Sequence, residues 1–375
     1  MLDPIRDPVF SAAANESAVI RKAMIAMSGG VDSSVAAYLT KQQGFCCTGV
    51  TMKLFDNEDI GVASDKSCCS LEDTEDARNI AFSLGMPFYV FNFADDFRKQ
   101  VIEHFVLSYQ NGETPNPCID CNRYLKFDRL LRRARELEND YIVTGHYARI
   151  EADAGSGRYI LKKGADTSKD QSYVLYAMTQ EQLSSTLFPL GGLMKSQVRE
   201  IALERGFVNA EKRDSQDICF VRGGNYADFI KQYTGKASPK GRFTDTNGND
   251  LGESKGIVHY TVGQRKGLGL SSSSPMYVCA LSSENNSVVV GTSEELYTKT
   301  LFARDINLIP ADRLDTPIKV RVKIRYKHQE QPATVWQIDS DALRVEFDAP
   351  QRAITKGQAV VLYDGDTVVG GGTIV

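Results

Sequence analysis

Residues 26–34 read Ala26-Met27-Ser28-Gly29-Gly30-Val31-Asp32-Ser33-Ser34. The apolar run 23–27 reads as a buried strand, and 33–43 as a helix that stops at Gly44. Between them, Ser28-Gly29-Gly30-Val31 carries too little side chain to block the backbone. Its N–H groups and the new helix N-terminus can converge on an anion. The pattern is a phosphate cradle, although it lacks the Walker spacing and contains no lysine. A second group of reactive side chains is sulfur. Cys118 and Cys121 lie in Thr114-Pro115-Asn116-Pro117-Cys118-Ile119-Asp120-Cys121-Asn122, and Cys219 lies in Asp214-Ser215-Gln216-Asp217-Ile218-Cys219-Phe220. Two prolines stiffen the first stretch, and Asn122 reads as the N-cap of the following helix. Cys121 would then stand at the positive end of that helix, beside Arg123 and Lys126, where a thiol pKa falls. C-x2-C is also half of a zinc site, but no second half of matching spacing recurs, since Cys68 and Cys69 are adjacent. Cys219 alone reads as readily as a small buried hydrophobe.

The composition limits what surrounds these groups. At 375 residues, 42% hydrophobic and 25% charged, the chain is an ordinary globular protein of two or three domains. No apolar run reaches membrane-spanning length. Residues 1–21 lack a signal-peptide core and an Arg-rich transit pattern, and read as a tail of a cytoplasmic protein. A net charge of −4 means that nucleic-acid binding would have to come from local basic patches. Eight cysteines are too few for a secreted disulfide scaffold, and their close pairing suggests redox, metal or nucleophilic chemistry.

The elements that must position these residues form three regions. Residues 22–205 alternate strands, at 22–27, 46–55, 87–93 and 141–145, with helical patterns at 71–84, 95–109 and 122–137. Repeated βα units predict an α/β fold with a doubly wound, mostly parallel sheet and ligands at the carboxyl ends of its strands. The phosphate loop, Met52 and Gly145-His146 all fall at such ends. Residues 206–274 are rich in turn signals and predict a small central domain. From 275 to 375, short alternating strands at 276–281, 287–292, 318–326, 333–337, 343–347, 359–363 and 367–369 predict a C-terminal β-barrel.

Ser-Gly-Gly-x-Asp-Ser at a strand-to-helix turn resembles the PP-loop of the ATP pyrophosphatases. Behind that loop come Asn116-Pro117-x3-Cys121-Asn122 and Asp214-Ser215-Gln216-x-Ile218-Cys219-Phe220. Further motifs are Thr144-Gly145-His146-Tyr147-Ala148, Lys169-Asp170-Gln171-Ser172-Tyr173, Phe188-Pro189-Leu190-Gly191, Tyr260-Thr261-x-Gly263-Gln264-Arg265-Lys266-Gly267, Arg325-Tyr326 and Gly370-Gly371-Gly372. Together they resemble the bacterial tRNA-specific 2-thiouridylases over nearly all of the chain after residue 22.

The resemblance implies ATP-dependent exchange of oxygen for sulfur at C2 of the wobble uridine, in the anticodon loops of lysine, glutamate and glutamine tRNAs. It implies that Ala26, Met27, Ser28, Gly29, Gly30, Val31, Asp32, Ser33, Met52 and Gly145 bind ATP, with Asp32 a candidate for orienting Mg2+. Cys219 corresponds to the persulfide cysteine and Cys121 to its partner nucleophile, so the two are expected to close a transient disulfide. Asn116, Pro117 and Cys118 correspond to residues around the target base. Cys118 stands where some relatives carry aspartate, which leaves the general base open. Lys169, Asp170, Gln171, Arg325 and Tyr326 correspond to tRNA contacts. A cysteine desulfurase, or a relay protein, is implied as sulfur donor.

Two further expectations come from pattern. In 319–327, Lys319, Arg321, Lys323, Arg325 and Lys327 alternate with Val320, Val322, Ile324 and Tyr326, placing five cations on one strand face and the apolar residues inward. Lys231, Lys236, Lys240 and Arg242 form a weaker basic group. None of His104, His146, His259 and His328 has metal-ligand spacing, and His146 reads as polar lining near the ATP pocket. Two other chemistries fit parts of the pattern: an iron–sulfur cluster on Cys118, Cys121 and Cys219, or an amide-forming synthetase, which would leave the paired cysteines unexplained.

Overall fold

The computed structural model describes residues 20–55, 71–212, 218–221 and 225–375. The tail 1–19, Cys68, Cys69 and Asp214–Asp217 lie outside the described residues. Lys22–Ala26 is the central strand of a five-stranded parallel sheet, flanked by Cys46–Lys53 and Phe88–Asn92 on one side. Tyr141–Val143 and Thr186–Leu187 complete the other side. The first four are the predicted strands, trimmed at their ends, and the two-residue fifth has too little pattern to read. Met24 faces one apolar core, while Ala23 and Ile25 face another. Helices therefore cover both faces, and a strand buried on both sides reads as continuous hydrophobicity rather than alternation.

The helix Val31–Gln42 follows the first strand, and Gly44, at φ +87°, ends it as expected. Two longer helices, 94–110 and 117–136, each contain a π-helical stretch, Arg98–Ile102 and Cys121–Arg129. The second begins at Asn116, not Asn122. The Asn116 Oδ1 accepts from the Cys118 N–H at 3.2 Å, and Pro117 occupies the first helical position. Proline presets φ there and has no N–H to leave unpaired, which decides the start. Asn122 is buried inside the helix and its Nδ2 donates to the Val174 carbonyl at 3.1 Å.

Beyond this sheet, Asn225 caps the helix Tyr226–Thr234, and a four-stranded sheet follows in the order Tyr277–Ser282, Ser287–Gly291, Gly241–Thr244, Asp250–Ser254. The strands near 276–281 and 287–292 thus pair with the central region, correcting the expected start of the barrel at 275. Six antiparallel strands form the barrel: Tyr297–Leu308, Ala342–Arg352, Gln331–Asp339, Ile318–Lys323, Ala359–Asp364 and Thr367–Ile374, closed by pairing of the first with the last. The hairpin Ala148–Ala152/Tyr159–Lys163, which sequence places in the α/β region, adds to the barrel's edge through Lys162 and Thr367. Sheet membership of a hairpin depends on a long-range partner and is invisible in local alternation.

Candidate active site

The phosphate loop is built from backbone. Gly30 is extended, at φ −89° and ψ 158°, and starts the helix with no side-chain cap. Ser33 Oγ donates to the Gly30 carbonyl at 2.9 Å and accepts from the Ser28 N–H at 3.2 Å, bracing the loop from within. Gly29 has φ +74°, and a Cβ there would lie 2.3 Å from the Asp73 carbonyl oxygen. Glycine is required on both counts. Gly145 presses against the same helix start: a Cβ would stand 2.8 Å from the Asp32 carbonyl carbon and 2.9 Å from the Ser33 nitrogen. Met52 borders the apolar core and pairs in register with Phe91. The loop, Met52 and Gly145 each lie at the carboxyl end of a strand of the parallel sheet.

Three residues that sequence reasoning missed complete this rim. Lys195 Nζ donates to Asp32 Oδ1 and Oδ2 at 2.7 and 2.8 Å, and the Tyr147 hydroxyl donates to Oδ1 at 2.7 Å. Asn209 Nδ2 donates to the Gly29 carbonyl at 2.8 Å and to Ser34 Oγ at 3.0 Å. Tyr147 lay in a quoted motif, but Lys195 and Asn209 had no local signal. Asp32 does not fit the expected role of metal ligand in this state, because a lysine ammonium already occupies both of its oxygens. His146 is not pocket lining either. Its ring is boxed by Phe127 and Phe188 at 5.8 and 5.7 Å, and burial holds its pKa well below the ordinary value.

The cysteine loop sits where the α/β domain meets the barrel. Thr114 N–H donates to the Lys356 carbonyl at 2.8 Å, and Gln358 Nε2 donates to the Thr114 carbonyl at 2.6 Å. Asp120, nearly buried, accepts at Oδ2 from His104 Nδ1 at 2.8 Å; this hydrogen bond raises the His104 pKa despite partial burial. Cys118 is exposed, two positions into the helix, whereas Cys121 is half-buried. Desolvation pushes the Cys121 thiol up to about 11, outweighing the pull of Lys126, with Cys118 and Asp120 raising it further. The expected drop is reversed. With the cap at Asn116, Cys121 lies a full turn inside the helix, where its dipole is weakest and burial dominates.

Tyr326 reaches across from the barrel to the turn that carries Asp170. Its hydroxyl donates to the Asp170 carbonyl at 3.2 Å, and burial, with Asp170 and the Cys118 sulfur nearby, raises its pKa. It is 39% exposed rather than inward-facing, because the strand ends at Lys323 and the period-two pattern ends with it. Arg325 is exposed and donates to the Arg352 carbonyl at 3.3 Å. Within the stripe Arg321 is offset by Glu330 at 3.7 Å, a carboxylate that also pairs with Lys163 of the 148–163 hairpin. Lys240 and Arg242 are likewise paired, with Glu253 and Asp250.

Asp170 Oδ1 accepts from the Gly164 and Ser172 N–H groups, both at 3.1 Å, and Gln171 Oε1 accepts from the Tyr147 N–H at 3.0 Å. These polar groups shape their turn, and Lys169 precedes them. Cys219 is half-buried on the same apolar cluster that Cys121 borders. Its neighbour Phe220 packs edge-on to Phe105 at 5.2 Å, next to His104 in the same helix. That helix therefore anchors both cysteine-bearing segments. Among the described residues the cysteines are free thiols, and no three His, Cys, Asp or Glu side chains converge as metal ligands.

Fold and site together define a PP-loop α/β nucleotide-binding domain joined to two β domains. Residues 21–223 match the tRNA methyl transferase HUP domain, 227–292 the tRNA methyl transferase PRC-barrel domain, and 298–374 the aminomethyltransferase beta-barrel domain. The tRNA-specific 2-thiouridylase MnmA of Clostridioides difficile is 52% identical over 94% of this chain and 98% of its own length. MnmA of Clostridium acetobutylicum is 49% identical over 94% and 99%, respectively. The chain belongs to the tRNA-specific 2-thiouridylase family. A solved 4-thiouridine synthetase–RNA complex with bound ATP aligns at TM-score 0.33 and 17% identity, over 53% of this chain and 44% of that one, a likeness too slight to bear on function.

Proposed function

We propose that the protein is an ATP-dependent tRNA-uridine 2-sulfurtransferase, acting in the cytoplasm on the wobble uridine. The reading is supported most by one arrangement. The Asn116-capped loop bearing Cys118 and Cys121 is tied at Thr114 to Lys356 and Gln358 of the barrel, while the phosphate loop lies at the carboxyl edge of the same α/β domain. A pyrimidine C2 carbonyl is a poor electrophile and its oxygen a poor leaving group. In the first step, uridine O2 attacks the α-phosphorus of ATP, pyrophosphate leaves with the bonding electrons, and N3 gives up its proton. The backbone donors of residues 28–31 orient the phosphates for that attack.

A persulfide on Cys219, charged by a cysteine desulfurase or a relay, then attacks C2, and AMP departs. Cys121 attacks Cys219 Sγ; the sulfur–sulfur bond breaks toward the base, leaving C2=S, and N3 recovers a proton. A Cys121–Cys219 disulfide results, and an external thiol reductant reopens it. The wobble base must be everted into the site, which costs least in a single-stranded anticodon loop. Asn116, Pro117 and Cys118 then border the base, while Lys169, Asp170, Gln171, Arg325 and Tyr326 face the RNA. ATP brings Mg2+ as its counterion, and no step is assigned to a protein-bound metal.

Thionucleoside analysis of tRNA incubated with ATP, Mg2+ and a persulfide donor tests this. Wild-type protein should form 2-thiouridine, and Cys121→Ser and Cys219→Ser should not. Normal product from Cys219→Ser would remove the persulfide role. Iron-dependent activity of anaerobically purified protein would favour the cluster chemistry instead.

A further inference from the structure

The thiolation cycle uses Cys121 and Cys219 and gives the sulfur of Cys118 no chemistry. Yet Cys118-Ile119-Asp120-Cys121, at the start of a helix in an α/β domain, is also the pattern of a redox dithiol. Cys118 is exposed, while Cys121, three residues on, is half-buried. Cys219 is half-buried too, and it packs against the same apolar core as Cys121. A disulfide between Cys121 and Cys219 therefore closes in a sheltered place, where a reductant from solution has poor access. Cys118 stands one helical turn away, in contact with solvent.

We propose that Cys118 is the resolving thiol of the cycle, moving the Cys121–Cys219 disulfide out to the Cys118–Cys121 pair. The inference rests on the persulfide reading above and adds the step that resets the site. After the thiolated base leaves, the Cys118 thiolate attacks Cys121 Sγ. The Cys118–Cys121 bond forms, and the Cys121–Cys219 bond breaks. Its electron pair goes to Cys219, which takes up the proton that Cys118 lost. An external dithiol then reduces the exposed pair, supplying two electrons and two protons and becoming a disulfide itself. Cys219 is meanwhile free to accept the next sulfane sulfur.

Local geometry permits the exchange. Side chains three apart on a helix lie about 5–6 Å apart at Cβ, whereas a disulfide needs about 3.5–4.5 Å. The turn is built to supply that approach. Ile119 N–H donates to the Asn116 carbonyl at 3.0 Å, a bond of the tighter 3-10 kind, in which side chains three apart eclipse. Cys121 opens the π-helical stretch Cys121–Arg129, so the ladder already changes there. The single turn Pro117–Asp120 can tighten without unwinding the rest. Burial also directs the exchange. The Cys121 thiol, pushed up to about 11, is a poor leaving group, so it keeps a bond while Cys219 departs.

Full-length protein is charged by a persulfide donor, freed of excess donor and allowed one turnover with ATP and tRNA, no reductant present. Acid quenching, alkylation and peptide mass spectrometry then map the disulfides, and 2-thiouridine is counted in parallel. Cys118 and Cys121 should be joined, with Cys219 alkylated. A Cys121–Cys219 disulfide with Cys118 alkylated overturns the proposal, as does product formed with no disulfide. A kinetic arm uses Cys118→Asp, the residue that some relatives carry. Each protein's steady-state rate under a protein dithiol reductant is divided by its own first-turnover rate, which absorbs any effect on the base pocket. That ratio should fall by about tenfold or more in the variant. A ratio within about twofold of wild type overturns the proposal. The mapping needs wild-type protein alone, so misfolding of the variant would not spare the proposal. Failure of the wild type to form 2-thiouridine would instead overturn the persulfide reading, and this proposal with it.

Discussion

Arg123 and Asp305, 182 residues apart, join the cysteine-bearing helix to the barrel, Arg123 Nη2 donating to Asp305 Oδ1 at 2.8 Å. A second Arg123 nitrogen binds Oδ2, so the contact is bidentate. It ties the barrel strand Tyr297–Leu308 to the helix that carries Cys118 and Cys121. Both side chains are partly solvent-exposed, so the pair adds only about 0.5–1 kcal/mol to stability. Its main effect should be on orientation. Arg123→Ala should shift the melting temperature by no more than a few degrees, while kcat/KM for tRNA falls about tenfold or more. Unchanged kcat/KM would show that the domains hold their alignment without it.

Gly145 permits backbone to press on the start of the helix Val31–Gln42, where phosphate binding is proposed. Gly145→Ala puts a methyl carbon 2.8 Å from the Asp32 carbonyl carbon, so either the strand end or the helix must move. We expect nucleotide affinity, measured by calorimetry, to drop by about tenfold or more, with a stability loss of about 1–3 kcal/mol. Native affinity in the alanine variant would mean that the helix start does not bind phosphate.

Asn116 caps a helix and borders the proposed base pocket at once, and two substitutions separate the roles. Asn116→Ala removes the side-chain acceptor for the Cys118 N–H and should cost about 1 kcal/mol in chemical denaturation. Asn116→Asp keeps the cap and should keep the stability. If Asn116→Asp also thiolates at the wild-type rate, its amide makes no contact with the base.

The His104–Asp120 pair should make stability depend on pH. The bond to Asp120 raises the His104 pKa above its ordinary value of 6.5. A raised folded-state pKa means that the protonated ring favours the folded form. Its stabilisation is complete below about pH 6.5 and fades as pH rises through the elevated folded value. Melting temperatures between about pH 6 and 9 should therefore decline more in wild type than in His104→Gln. Parallel curves would show that the pair does not contribute.

Cys121 should be a slow nucleophile in the resting protein. With its thiol pushed up to about 11, the thiolate fraction at pH 8 is about one in a thousand. Iodoacetamide followed by peptide mass spectrometry should label exposed Cys118 well before Cys121, and Cys121 labelling should accelerate toward pH 10. Equal labelling at neutral pH would mean that the sulfur is already activated without tRNA. The expected order reverses the reading from sequence, in which Cys121 stood at the helix end.

Sequence by itself determined the parallel strands, the phosphate loop, the order of the sulfur-bearing segments and the barrel class. Each of these rests on local rules: hydrophobic period, the freedom of glycine, the stiffness of Asn-Pro and motifs of contiguous residues. Only the tertiary structure decided the partners. Lys195 reaches Asp32, Tyr326 reaches Asp170, Arg123 reaches Asp305 and the 148–163 hairpin joins the barrel across separations that no short pattern encodes. It also decided the surroundings of the Cys121 thiol, which raise its pKa. Burial is set by everything that packs around a side chain, and at Cys121 it outweighs the helix dipole that neighbouring residues suggest.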